Sequence, residues 1–155
     1  MVRIQVGPPN NMKHSPYIFN ILHELAIENP GIRNQFKMAA GIAYRGNLLA
    51  TGLNSFKSHP MMRQWGKNED SIFIHAEIDA IKNALKIMPQ SDLARCDLYI
   101  ARVKRPDSDS DLWVPGLAKP CKGCQRAIAA FDIRNVYYTR DFEEGCYHQI
   151  GEFYV

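Results

Sequence analysis

The spacing of apolar positions changes several times along the chain, and each change marks an element. Ile18, Ile21, Leu22 and Leu25 recur at three- and four-residue intervals, which places them on one face of a helix. Ser15 can cap that helix, Pro16 suits its first turn, and Asn29-Pro30-Gly31 stops it, so a helix is predicted over 15–29. From Phe36 the period falls to two: Phe36, Met38, Ala40, Ile42 and Tyr44 alternate with small or polar neighbours, as in a strand. Arg45-Gly46-Asn47 is a turn signal and 48–53 reads as the returning strand of a hairpin. Helical spacing resumes at Ile78, Ile81, Leu85 and Met88, which predicts a helix over 71–85. It resumes again at Ala127, Ile128 and Phe131, for a helix over 119–131 with Pro120 at its start. Segments 96–103 and 135–139 read as two further strands.

Helix, hairpin, helix, strand, helix, strand is the order of an α/β protein. Strands alternating with helices imply a mixed central sheet covered on both faces, a three-layer α/β/α arrangement. Crossover helices would bring the starts of the 71–85 and 119–131 helices to one edge of that sheet. Three stretches stay outside the pattern. Residues 1–15 read as an extended arm with two prolines and two asparagines. Residues 54–70 form a polar segment. Residues 104–118 form an inserted loop with an acidic run, Trp113 and two prolines, leading directly into Pro120-Cys121.

Length and composition narrow the setting. The 155 residues fit one domain with a real core. No apolar run approaches the ~20 residues of a membrane span, and the first residues lack the apolar centre of a secretory signal. A cytoplasmic protein with no membrane role is expected, where thiols stay reduced. A net charge of +3 is weak evidence for a polyanionic partner.

The chemistry concentrates at the two helix starts. His75 and Glu77 open the first, and Cys121 and Cys124, one turn apart on one face, open the second. His75, Cys121 and Cys124 make three ligands with a fourth position open, the arrangement of a catalytic zinc rather than a closed structural one. Thiolates at a helix N-terminus also sit where the dipole favours negative charge. Glu77 is then free to act on a water in the open position. Taken singly, C-x-x-C could be a redox motif or a structural half-site, and H-x-E occurs by chance; their conjunction at two helix starts carries the reading. Cys96 and Cys146 are expected to pack as small apolar residues.

These residues resemble the cytidine and deoxycytidylate deaminase superfamily of zinc enzymes, with its H-x-E and P-C-x-x-C signature. His75-Ala76-Glu77-Ile78-Asp79-Ala80-Ile81 is similar to the family's H-A-E-x-x-A-I, and Pro120 to Tyr138 to its second half. Thr51-Gly52-Leu53-Asn54 resembles the segment whose asparagine touches substrate. The resemblance implies hydrolytic deamination, with Zn2+ as cofactor, Glu77 moving protons, Asn54 on the substrate, and backbone N–H groups near Ala76 and Cys121 assisting. Family members are usually oligomeric, so a homo-oligomer is expected. The chain departs from the family in three places. Lys119 stands where Ser, Thr or Glu often precedes the proline, the 104–118 insertion is long, and only a short tail follows Thr139. The family's fifth strand could be shortened or replaced by an edge strand at 153–155.

Several substrates remain open at this stage. A small-molecule nucleotide, dCMP deaminated to dUMP, is the first reading. Gln125-Arg126-Ala127 stands where tRNA adenosine deaminases tend to carry a glycine-alanine pair, which favours the nucleotide branch. The alternatives are a deaminase of cytosine or adenine in single-stranded DNA or RNA, and a non-catalytic zinc module, which would not need Glu77. Lys57, His59, Arg63 and Lys67 crowd into 54–70 and either clamp a phosphate, Arg63 in bidentate fashion, or solvate a loop. If the substrate is a strand, Trp65 is a stacking candidate. Trp113 either stacks on substrate or belongs to a solvated loop.

Overall fold

A computed structural model describes residues 14–30, 37–66, 73–107, 109–141 and 150–152. Helix α1 (Pro16–Ile27) leads into the hairpin β1 (Lys37–Tyr44) and β2 (Asn47–Leu53). Then come α2 (Pro60–Trp65), α3 (Ala76–Ala84), a 3₁₀ turn at Gln90–Arg95, and β3 (Asp97–Lys104). Strand β4 (Val114–Gly116), α4 (Lys122–Ala130), β5 (Asn135–Thr139) and β6 (Ile150–Glu152) complete the order. The hairpin turn is Arg45-Gly46, with φ values of 49° and 77°. Two positive values in a two-residue loop match the right-handed twist of the strands they join.

The sheet runs β2-β1-β3-β5-β6, and the short β4 pairs with the end of β3. Strands β3 and β5 are parallel, while β1–β2, β1–β3, β3–β4 and β5–β6 are antiparallel. The mixed sheet expected from sequence is therefore present. Strand parity separates two buried faces. Ala39, Ala43, Tyr99, Ala101, Val103 and Tyr137 pack under Ile18, Phe19, Leu22 and Ala26 of α1. Ala40, Ile42, Leu98, Ile100, Val136 and Tyr138 point the other way, under Ala76, Ala80 and Ile81 of α3 and Ile128 of α4. The result is three layers. Each fully buried aliphatic side chain adds ~1.5–3 kcal/mol.

Both β2 and β3 run antiparallel to β1, so they share a direction and end at the same end of the sheet. The chain leaves each end and returns on the same face, as α3 and α4. That is why the two helix starts meet, as expected.

The element boundaries correct the sequence reading in several places. Ser15 is the N-cap of α1, but its side chain makes no cap bond; its backbone N–H donates to the Tyr99 hydroxyl at 3.0 Å. Helix α3 begins at Ala76 rather than near 71. Ile74 donates its N–H to the Lys57 carbonyl at 2.9 Å and accepts from the Ser55 N–H at 3.2 Å, which holds the chain extended until His75. Helix α4 begins at Lys122, with Cys121 as N-cap and Pro120 just before it. The polar segment 54–70 contains the unforeseen α2. His59 caps it by accepting the Met61 N–H at 3.1 Å, Pro60 opens it, and Met62 is fully buried against Ile74, Ile78 and Cys124. The 104–118 insertion is likewise not all loop, since β4 forms within it. Strand β6 pairs with β5 at 150–152, ahead of the 153–155 expected from sequence. The expectations for 1–13, Phe36, Lys67, Cys146 and 153–155 concern positions outside the described residues. Cys96 is buried, with its Sγ 3.4 Å from the Asp92 carbonyl. Among the described residues, no helix is long and apolar enough to cross a membrane.

Candidate metal centre and active site

His75 is the N-cap of α3 and its side chain makes no cap bond, which leaves the ring free to face α4. Cys121 is the N-cap of α4 and its Sγ accepts the Cys124 N–H at 3.5 Å. Cys124, one turn on, is buried at 1% exposure. Nδ1 of His75 lies 3.6 Å from Cys121 Sγ and 3.4 Å from Cys124 Sγ. A tetrahedral zinc with bonds of about 2.0 Å to nitrogen and 2.3 Å to sulfur would hold N and S roughly 3.5 Å apart. The three donor atoms lie within 4.8 Å of one another. Donor type and spacing thus both fit zinc, with three protein ligands and a fourth position left for chemistry.

The three groups hold their protons unequally, and Cys121 alone is biased toward the deprotonated form that a metal takes. The hydrogen bond from Cys124 holds the Cys121 thiol down to about 3, with His75 and the Cys124 backbone N–H adding to it against burial. The same bond, with burial, pushes the Cys124 thiol well above its ordinary value. The hydrogen bond to Cys121 raises His75, with burial opposing. A metal must displace the remaining protons to take all three ligands.

Glu77 sits one residue inside α3 at 2% exposure, and its Oε2 has no hydrogen-bond partner among the described residues. Burial raises its pKa and His75 pulls it back down. A buried carboxyl oxygen with no partner is costly unless the site uses it. Glu77, His75 and Cys121 open into a cavity of about 380 Å³ that Asn54 also lines. The orientation of Asn54 is fixed. Its Oδ1 accepts the Met38 N–H at 2.8 Å and an Asn29 Nδ2 hydrogen at 2.9 Å. Its Nδ2 is then the donor left for a ligand.

The close approach of α4 to α2 needs Gly123. A Cβ there would strike the Trp65 carbonyl oxygen. Arg126 Nη2 donates to the Gly66 carbonyl at 3.1 Å, which ties the same two segments together.

Of the residues singled out from sequence, His75, Glu77, Cys121, Cys124 and Asn54 come together. Ala76 lies beside them with its side chain in the core. Lys57 and Arg63 are not in the cavity wall. Both are exposed, Arg63 because α2 turns Met62 inward instead. Trp113 lies on the other face of the sheet, against the α1 layer. Lys37 Nζ stands 5.1 Å from its ring centroid and the Arg105 guanidinium 5.5 Å. The stacking role expected of it therefore has no geometric basis. Trp65 is half-buried beside Phe131, with ring centroids 6.2 Å apart, rather than presented to a strand. The cavity wall instead contains Phe56, Phe73, Arg102 and Lys119, which sequence reasoning had not assigned to it. Phe56 and Phe73 meet edge to face at 5.4 Å through the bridge between Ser58 and Phe73. A pairing between segments that distant leaves no periodic signal. Arg102 and Lys119 flank the insertion, and their charge was the one cue available.

The family model of the cytidine and deoxycytidylate deaminase zinc-binding region matches residues 12–140. The chain belongs to this family. It is a zinc-dependent hydrolytic deaminase, with His75, Cys121 and Cys124 as the site that fits the metal. No curated protein matches it. Among solved structures it is similar to the dCMP deaminase of cyanophage S-TIM5 in apo form, at 20% identity, TM-score 0.49, over 80% of this chain and 83% of that one. It is similar also to that enzyme in complex with dCMP and dUMP, at 21% identity, TM-score 0.48, over 80% and 82%.

Proposed function

We propose that this deaminase converts a free cytosine nucleotide, dCMP, to dUMP, with water consumed and ammonia released. The observation that carries the chemistry is the buried Glu77 oxygen, without a hydrogen-bond partner among the described residues, at the cavity that His75 and Cys121 also line. Zinc bound there supplies Lewis acidity that makes water a competent nucleophile near neutral pH. Glu77 Oε2 takes a proton from the attacking water and passes protons to the ring nitrogen and the departing amine. Burial raises the Glu77 pKa, which suits a group that must both accept and return a proton. Asn54 Nδ2 donates to a substrate oxygen. The edge-to-face pair Phe56 and Phe73 offers an apolar wall for a pyrimidine.

The cavity volume, about 380 Å³, lies near the lower end of the ~300–1,000 Å³ range of small-molecule sites. It suits one nucleotide unit. This reading keeps two further expectations. A reducing compartment such as the cytoplasm preserves Cys121 and Cys124 as free thiols, as they are here. A homo-oligomer would cover the exposed Phe56, Phe73 and Leu117 around the cavity, and light scattering at assay concentration reads that directly.

The test is ammonia release by the zinc-loaded protein on deoxycytidine, dCMP, deoxyadenosine monophosphate and single-stranded oligonucleotides. Preference for dCMP is expected. Turnover of oligonucleotides alone would replace this reading with deamination within a strand.

A further inference from the structure

We propose that Arg102 and Lys119 are the residues that read the substrate's phosphate, and that the excursion between β3 and β4 exists to place them. The inference rests on the nucleotide reading above and names the part of the site that would enforce it. Both side chains line the cavity shared by His75, Glu77 and Cys121, and among the described residues they are the two cationic side chains in its wall besides the candidate ligand His75. The cations expected from sequence, Lys57 and Arg63, are absent from that wall. The charge needed for an anionic group is thus present, at positions that the sequence pattern did not suggest.

The excursion fixes the pair through one buried threonine. Thr139, at the end of β5, is 7% exposed. Its Oγ1 accepts the Arg102 N–H at 3.0 Å and donates to the Gly116 carbonyl at 2.7 Å. Its own carbonyl accepts the Ala118 N–H at 2.9 Å. A single residue thereby ties the strand that carries Arg102 to the chain that carries Lys119. Gly116 pairs with Arg102 across β3–β4, and a Cβ there would press on the arginine stem at 3.2 Å. Arg102 Nη1 donates to the Leu117 carbonyl at 3.3 Å, which steadies the guanidinium at the cavity wall. Asp141, whose carboxylate attracts Arg102, accepts from Lys104 Nζ at 2.7 Å and from the Leu117 N–H at 3.1 Å. Lys119 is exposed, two residues before Cys121, and free to swing onto an anion. A guanidinium fork and a mobile ammonium together suit the oxygens of one phosphate.

Two charges on one small cavity fit a mononucleotide. A strand contacted at several phosphates would instead show steep loss of activity with salt. The experiment uses zinc-loaded wild type, Lys119→Ser and Arg102→Gln, each checked for zinc content and thermal unfolding. It measures kcat/KM on dCMP and deoxycytidine, and calorimetric binding of dCMP to a Glu77→Gln background. Each substitution is expected to raise KM and Kd for dCMP by about ten- to a hundredfold and to leave the deoxycytidine values within about twofold. Lys119→Ser, at an exposed side chain, keeps the test valid if Arg102→Gln folds poorly. A wild type that prefers dCMP, with both variants unaffected, would overturn this inference and leave the nucleotide reading standing. A wild type that prefers deoxycytidine or oligonucleotides, or that does not bind dCMP, would overturn both.

Discussion

Helices α3 and α4 both open with a candidate metal ligand at the N-cap, His75 and Cys121, yet their first turns are held in different ways. Helix α3 is part of the core. Ala76, Glu77, Ile78, Ala80, Ile81 and Ala84 are all buried. Its outer side is fastened to the edge strand β2, where Asp79 Oδ2 accepts the Leu53 N–H at 3.0 Å and Asn83 Nδ2 donates to the Thr51 carbonyl at 2.7 Å. Gly52 lets the helix backbone lie directly on the strand, since a Cβ there would collide with Ala80 and Ala76. Helix α4 buries a narrower stripe, and its start leans on the six-residue α2 through Gly123 and Arg126. Glu77, the proposed proton carrier, sits on the firmly packed helix. The two thiols sit on the helix whose start is packed against fewer neighbours.

That contrast can be broken by experiment, beginning with the metal. Cys124→Ala should abolish stoichiometric zinc binding and lower the melting temperature, since forming the site and folding around it are coupled. Full zinc retention by elemental analysis would remove Cys124 from the ligand set. Chelation of the wild-type protein should sharpen the difference. Amide exchange is expected to rise most around 121–125 and 62–66, and least within 76–84; the reverse order would refute the contrast. Gly123→Ala should cost about 1–3 kcal/mol by overpacking, with Gly52→Ala in the same range. Denaturant melts read both, and zinc affinity should fall only for Gly123→Ala.

Asp79→Ala is a smaller step. It leaves the Leu53 N–H without its acceptor and removes the half-buried pair with Lys82 at 2.7 Å. Most of the loss, about 1–2 kcal/mol, should come from the hydrogen bond. Stability should fall while activity per bound zinc holds. Smallest of all, Lys57→Ala, Arg63→Ala and Trp113→Ala should each leave KM for dCMP within about twofold, because none reaches the cavity. A large rise for Arg63→Ala would return the phosphate contact to the 54–70 segment.

What was legible in the sequence follows from how local each signal is. The ligands and Glu77 sit at helix starts with fixed spacing, so residue type and short-range periodicity were enough. The hairpin, the two layers and the three-layer class followed from period changes. Helix α2 escaped because its six residues carry one buried side chain, Met62, too few for a period to show. Periodicity starts α3 too early because apolar Phe73 and Ile74 continue the pattern, while long-range bonds from Ile74 to Lys57 and Ser55 hold the chain extended. The cavity wall was the least legible part. Arg102 reaches it through the register of β3 with β4, and Phe56 meets Phe73 through an isolated bridge. Neither pairing leaves a mark on nearby sequence.

The account turns on Glu77 as the proton carrier beside a zinc held by other residues. The most direct measurement is ammonia release per bound zinc for Glu77→Gln against wild type, with zinc content determined on the same samples. The substitution keeps the shape of a buried side chain and removes its ability to carry a proton. Full zinc content with turnover lower by roughly 10²–10⁴-fold is the expected result. Turnover near the wild-type rate at full zinc content would contradict the account.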